Sequence, residues 1–269
     1  MNKGISESKG EIVIRLDAHA QYSADYISKC VTYLNKYMVD NVGGICLTLP
    51  GAETLKAKAI AFALSSFFGV GNSYFRIGIK ESKFVDTVPF GCYRRKVFEQ
   101  VGLFDEDLIR NQDDEFNLRL IKSGKKILLV PSIVSKYYAR DTFLKLWNMY
   151  YQYGYFKPLV VKKVGGVLTW RQLIPGIMVS SMLILAISAF FNNYLFLLFL
   201  SVAGMYLLAS FFFSMVLVIK NGILLLPFLM ISFMVLHFSY GIGYLKGVID
   251  FIIFKKHERN NIKDFSVTR

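Results

Sequence analysis

Ile12-Val13-Ile14-Arg15-Leu16-Asp17-Ala18-His19 is the stretch on which the fold turns. An apolar run that closes on an acid, a small residue and an imidazole reads as a strand over residues 11–16 that delivers Asp17 and His19 to its carboxyl end. Open α/β sheets bind ligands at that rim. A carboxylate oxygen and an imidazole nitrogen two positions apart on extended backbone leave coordination positions open, which suits Mg²⁺ or Mn²⁺ holding a diphosphate. The same triplet also reads as a strand-end turn closed by a capping acid, and residue types alone do not choose between the two.

Further along the chain, Ser23 is a candidate cap for a helix with Ile27, Cys30, Val31, Leu34 and Met38 on its apolar face. Residues 42–48 predict a strand and the alanine-rich residues 53–68 a buried helix. Residues 69–83 read as a loop, and 94–101 as a short helix stopped by Gly102. A longer helix is expected over 113–123, ending at Gly124 with Lys122, Lys125 and Lys126 near its carboxyl end, then a strand over 127–130. This alternation implies an α/β domain with a mainly parallel or mixed sheet.

The rest of the chain is different in kind. Hydrophobic residues make up 54% of the 269, against 19% charged, which is too apolar for an ordinary soluble protein. The excess sits in three runs without a charged residue, 173–191, 194–219 and 223–240, each close to the length that crosses a hydrocarbon core of roughly 30 Å. The expected organisation is an α/β domain over 1–140, an amphipathic interfacial linker over 141–172, a transmembrane region over 173–254 and a basic tail over 255–269. Met1 opens straight into a polar stretch rather than a signal peptide, so the α/β part is expected in the cytoplasm of a multi-pass protein of the plasma (inner) membrane.

The net charge of +13 is compatible with nucleic acid, anionic lipid or phosphorylated substrates. Between Arg140 and Arg171, Lys145, Lys157, Lys162 and Lys163 face a single acid, Asp141, just before the first apolar run. That placement favours a membrane surface and argues against nucleic acid, with plain solvated lysines as the alternative. Cys30, Cys46 and Cys92 have no paired-ligand spacing and read as reduced core or loop residues.

A second acidic group, Gln112-Asp113-Asp114-Glu115, opens the helix over 113–123. Carboxylates suit a helix amino terminus through the dipole, which is one account of them. The other is chemical: adjacent acids in a cleft repel, which raises a pKa and supplies a general base. That account needs both acidic groups to face one cleft.

Together these residues carry a resemblance. Residues 10–26, the loop Gly69-Val70-Gly71-Asn72-Ser73-Tyr74-Phe75-Arg76, residues 86–98, and Gly102-Leu103-Phe104-Asp105-Glu106 leading into Gln112-Asp113-Asp114-Glu115 resemble family 2 glycosyltransferases of the GT-A fold. The resemblance is greatest to the membrane-attached branch of succinoglycan and exopolysaccharide synthesis, and extends to His237-Phe238-Ser239-Tyr240-Gly241 in the last apolar run. It implies that Asp17 and His19 hold the metal and the donor diphosphate, and that Asp113 is the base for an inverting transfer. Asp114 and Glu115 would tune that base or order its loop. Donor or acceptor contacts are expected from Arg15, Gly91, Cys92, Tyr93, Gln112, Arg119 and Gln152. The donor would be a nucleotide-sugar, a UDP-sugar, and the acceptor a lipid-linked glycan at the membrane.

Two departures qualify the implication. Gln112 stands where the family has a glutamate, and the nucleotide-binding strand and loop that open the family's fold precede the segment that here begins at Met1. The resemblance is therefore to a partial GT-A domain. A noncatalytic membrane subunit or relic, working with a partner polypeptide that carries the N-terminal half, is the alternative. Gln152-Tyr153-Gly154-Tyr155-Phe156 lacks the Arg-Trp of processive synthases, which favours transfer of a single sugar.

Phe143, Trp147, Tyr150 or Tyr151, and Phe156 recur near helical spacing, as in a helix lying at the headgroups, or in an ordinary core helix. Three crossings would place Lys255, Lys256, Arg259 and Lys263 opposite the α/β part, against the positive-inside rule. A break at Gly241 and Gly243 that returns residues 245–254 to the cytoplasmic interface would resolve this. His237, inside an apolar run, is expected to serve hydrogen-bonded packing.

Overall fold

The computed structural model describes residues 1–18, 20–166 and 169–256. His19 and Arg259 and Lys263 of the tail, all named above, lie outside the described residues. In chain order the elements are α1 (Asn2–Glu7), β1 (Ile12–Ile14), β2 (Ala20–Tyr22), α2 (Tyr26–Lys36), β3 (Asn41–Leu49), α3 (Leu55–Leu64), α4 (Phe67–Val70), α5 (Tyr74–Ile77), β4 (Lys83–Phe84), β5 (Cys92–Arg94) and α6 (Lys96–Val101). They continue with α7 (Gln112–Lys122), β6 (Ile127–Tyr138), α8 (Phe143–Val164), α9 (Ile174–Ser188), α10 (Asn193–Asn221) and α11 (Leu226–Gly247).

The strands form one mixed sheet in the order β1-β5-β3-β6-β2, with β4 also on β6. Only β3 and β6 are parallel; β5 runs antiparallel to both β1 and β3. It follows that β1, β3 and β6 point the same way, but β1 ends at Ile14 opposite Cys92, which pairs with Val42, so its carboxyl end, leading to Arg15 and Asp17, lies level with the first part of β3 and well short of Leu49. β6 runs well past residue 130, where the sequence reading ended it. The strand takes up Pro131, which has no N–H to give the ladder, in an irregularity opposite Gly44 and Ile45, and pairing resumes at Val134. A Cβ on Gly44 would lie 2.1 Å from Ile133 O, so the glycine makes room for the bulge.

Helix α2 differs from its sequence reading at both ends. Asp25, not Ser23, is its N-cap, and Ile27 and Met38 are exposed, while Tyr26, Cys30 and Leu34 at a spacing of four fill the core. Cys30 and Cys92 share that core with Val42 and Val130, and all three cysteines are free and buried, as expected. The helix read over 53–68 is two: α3 is capped by Thr54, and Ser66 caps α4 anew.

Among the described residues, three helical stretches are long and apolar enough to cross a membrane: Trp170–Ser188, Asn193–Asn221 and Ile223–Ile253, with mean hydropathies of 1.5, 2.3 and 2.0. Gly241 and Gly243 do not break the last of them. α11 runs straight through both and continues as a wider turn of helix over Val248–Ile253. The glycines serve a crossing instead: Cβ atoms on Gly243 and Gly247 would lie 2.2 and 2.1 Å from Tyr151 O and Tyr155 O of α8.

α8 is packed between α7 and α11. Every residue from Gly154 to Val160 is buried, so this half of the helix has no face left for headgroups. α11 is also covered along its length: Leu229 packs with Ala59 of α3, Phe233 and Leu236 with Ile60 and Leu64, and Phe251 just beyond it with Tyr155, Phe156 and Leu108. His237 makes two hydrogen bonds, Nδ1 with the Tyr206 hydroxyl at 3.0 Å and Nε2 with Phe68 O at 2.8 Å, which is a packing role.

Candidate active site

Arg15 follows β1 directly. Its backbone N–H donates to Gly91 O at 3.0 Å, which keeps the chain extended beside β5. Its side chain then reaches two acids. Nε donates to Asp17 Oδ1 at 3.1 Å, and Nη1 lies 3.7 Å from Asp113 Oδ2. Burial opposes the charge of Arg15, but the charges of Asp113 and Asp17 outweigh it and raise the guanidinium above its ordinary range. The two acidic groups of the sequence thus meet in one cleft, of about 1760 Å³, whose walls include Arg15, Asp17, Gln112, Asp113 and Asp114.

Local structure fixes both acids. The Asp17 N–H donates to the Tyr22 hydroxyl at 2.8 Å, and the Ala20 N–H donates to Asp17 O, so the turn into β2 holds Asp17 past the end of β1. Asn111, left-handed at φ 63°, starts α7 and donates from Nδ2 to Tyr153 O of α8. Asparagine tolerates that backbone region better than most residues.

The three consecutive acids of α7 do not confront one another. Neighbouring positions on a helix diverge by about 100°, and each acid finds its own cation. Asp113 meets Arg15, Asp114 pairs with Lys157, and Glu115, 2% exposed, pairs with Arg119. Mutual repulsion is therefore not what conditions Asp113. Burial, then the Arg171 charge, pushes the Lys157 ammonium down to about 7, against the opposing charges of Asp113 and Asp86.

The other expected site residues divide. Gln112 lines the cleft and donates to Asp105 O at 3.3 Å, and Gln152 Oε1 accepts from Nε of the cleft residue Arg110 at 3.0 Å. Gly91 lies against Tyr93: a Cβ there would meet the Tyr93 ring at 2.5 Å and Asn41 Oδ1 at 2.6 Å. Tyr93 is buried beside Arg15 and Asp113, and burial, then the Asp113 charge, pushes its phenol up. Cys92 and Arg119 lie elsewhere. Cys92 faces the core on α2, and Arg119 binds Glu115, Val101 O and Leu103 O, ordering the loop before α7.

The sequence reading missed Lys157, Arg76 and the Arg171–Asp86 pair at 2.6 Å. Lys157 left a signal, as the one charged residue in an otherwise uncharged run from residues 146 to 161.

Among the described residues no three His, Cys, Asp or Glu side chains converge as metal ligands. Asp17 offers one carboxylate at the cleft wall. That donor set fits a hard divalent cation that draws most of its oxygens from phosphate and water, and does not fit a site closed by protein.

The family model for glycosyl transferase family 2 matches residues 1–102, from α1 through β5 and α6. Residues 1–102 belong to glycosyl transferase family 2. Beyond this family 2 segment lies α7 with Asp113, and the similarity to known proteins extends further than the segment. The chain is 33% identical over 168 residues to a Methanococcus voltae dolichyl N-acetyl-alpha-D-glucosaminyl phosphate 3-beta-D-2,3-diacetamido-2,3-dideoxy-beta-D-glucuronosyltransferase, covering 60% of this chain and 51% of that protein. It is 30% identical over 156 residues to the succinoglycan biosynthesis protein ExoA of Rhizobium meliloti (strain 1021), covering 57% and 46%. The chain thus spans about half the length of these family 2 relatives. Its fold is similar to that of the mannosyltransferase PcManGT from Pyrobaculum calidifontis, solved with GDP-Man and Mn²⁺, with a TM-score of 0.50 at 15% identity over 91% of this chain and 65% of that one.

Proposed function

We propose that this chain transfers a single sugar, with inversion, from a nucleotide-sugar donor such as a UDP-sugar to a lipid-linked acceptor in cell-surface glycan synthesis, at the plasma membrane with its sheet on the cytoplasmic side. One observation carries the reading: Arg15 joins Asp17 at the end of β1 to Asp113 at the start of α7, in a cleft whose walls also include Met178, Tyr206 and Tyr240 of the apolar helices. In this reading Asp113 takes the proton of the acceptor hydroxyl, whose oxygen attacks the anomeric carbon while the nucleoside diphosphate leaves from the opposite face. Arg15 orients that carboxylate and adds positive charge beside the departing phosphates. Asp17, with His19 by resemblance, would hold Mg²⁺ or Mn²⁺, which when bound neutralises the diphosphate. Lys157 occupies Asp114 in an ion pair, which leaves Asp113 as the acid that takes the proton.

The test is release of nucleoside diphosphate from a donor panel by membranes containing this chain. Release that stops with a chelator and falls by about 10²–10⁴-fold in Asp113→Asn is the expected result. Release unchanged in Asp113→Asn would remove Asp113 from the chemistry.

A further inference from the structure

The cleft holds polar groups that sugar transfer does not use. Arg76, at the end of α5, lines it with a guanidinium set over the rings of Tyr137 and Phe75 at 5.3 and 5.4 Å, and with Thr48 Oγ1 at 3.4 Å as its acceptor. Arg15, Arg119, Arg171 and Lys157 each hold a carboxylate. Among the described residues, none lies within ion-pair reach of Arg76. Burial opposes the charge of Arg76, but the Tyr150, Tyr137 and Tyr153 phenols and the Cys46 thiol around it outweigh that and raise the guanidinium above its ordinary range, with no carboxylate among them.

The cleft also presents Thr169, Gln172 and Tyr240, whose Oγ1, Oε1 and hydroxyl are buried without a hydrogen-bond partner. Gln172 is only 7% exposed. Tyr150 lies within electrostatic reach of both Arg76 and Tyr240, which brings the cation and the Tyr240 hydroxyl to one region. Buried groups of this kind cost free energy until a ligand satisfies them. A guanidinium fork beside hydroxyl donors matches the oxygens of a phosphate.

A second opening adjoins this region. Between α9, α10 and α11 runs a crevice of about 520 Å³ lined by apolar side chains such as Met182, Phe199, Ala203 and Phe238. Tyr206 lines both the crevice and the cleft, so the two adjoin at its side chain. Tyr153 lies within electrostatic reach of both Arg76 and Asp113, which puts the cation and the reacting acid in the same part of the cleft.

We infer that Arg76, with the Tyr240 hydroxyl, holds the phosphate of the lipid-linked acceptor, and that the hydrocarbon chain of that lipid lies in the α9–α10–α11 crevice. This rests on the lipid-acceptor reading above and specifies where its head and tail are held. The phosphate anchors one end of the acceptor, and the sugar beyond it reaches Asp113.

The experiment is equilibrium binding to the full chain in phosphatidylcholine nanodiscs. The probes are a polyprenyl phosphate, the matching polyprenol, phosphatidic acid and inorganic phosphate. Polyprenyl phosphate should bind at least about tenfold more tightly than each of the others, as expected for charge-assisted contacts. Arg76→Gln should abolish that preference, Arg76→Lys should keep part of it, and Tyr240→Phe, which preserves the packing, should weaken it severalfold. Ala203→Trp should weaken the long-chain phosphate but not a short-chain isoprenyl phosphate. Equal binding of phosphate and alcohol, wild-type binding by Arg76→Gln, or a preference for phosphatidic acid would overturn the inference. Loss of nucleoside diphosphate release with the lipid preference intact would overturn the transfer reading alone, and transfer without the preference would overturn this site alone.

Discussion

Arg15 carries more of the site's geometry than either acid it touches, because it converts two carboxylates far apart in sequence into one constellation. Asp17 and Asp113 were legible as residue types: an acid closing an apolar strand, and an acid opening a helix. Their meeting was not, since no local pattern encodes which helix terminus faces which strand end. The pairing of each acid in α7 with its own cation was equally hidden, because Lys157 and Arg15 come from distant elements. Gly91 shows the same limit. The sequence reading marked it for the site, and the structure gives it a steric duty: its missing Cβ lets Tyr93 and Asn41 close together beneath Arg15. Gly91→Ala should therefore lower stability by about 1–3 kcal/mol through overpacking, read as a fall in Tm of the detergent-solubilised chain. An unchanged Tm would mean that Tyr93 and Asn41 give way at no cost.

At the scale of elements, the long and strongly patterned segments were readable. β1, β3, α6 and α7 lie where periodicity and stop signals put them, to within a few residues. β2 and β5 were not, because Ala20–Tyr22 and Cys92–Arg94 lack the apolar run that marks the equally short β1 and owe their strand form to the strands they pair with. The glycines of α11 misled for a different reason. Low helix propensity argues for a break in isolation, but here α8 packs on the same glycines, and close backbone approach outweighs the propensity cost. Gly154 of α8 answers from the other side, its Cβ position lying 2.1 Å from Tyr240 O. Gly243→Leu should force the two helices apart and cost at least about 1–3 kcal/mol, seen as a lower Tm and as new protease cleavage near α8. Retention of wild-type stability would show that the crossing has slack that the backbone distances do not suggest.

For the whole molecule, composition was enough to divide an α/β part from an apolar part, but not to say how the two are joined. They are joined along a seam, since residues near both ends of the last apolar stretch touch elements of the sheet-bearing part. Asp250, 2% exposed, accepts from Lys246 and Lys256 at 3.0 and 2.8 Å and from the Tyr155 hydroxyl at 2.9 Å, fastening the far end to α8. On the proposed cytoplasmic placement of the sheet, this fastening would keep Lys255 and Lys256 on the positive-inside side without a separate fourth element. A cysteine introduced at Lys255 should thus resist an impermeant thiol reagent in intact cells and react once the membrane is opened. Labelling in intact cells would place the end of α11 across the bilayer from the cleft.

The seam also governs how the protein responds to its lipid surroundings. A catalytic part tethered by a flexible linker would ride freely as a bilayer thickens or thins. Here α3, α4 and α8 are locked to α11, so the cleft keeps one height relative to the hydrocarbon boundary. Mismatch between helix length and bilayer thickness then has to be met by tilting the molecule as a unit. Acyl-chain length thereby becomes a control on how far the mouth of the cleft lies from the headgroups where an acceptor would wait.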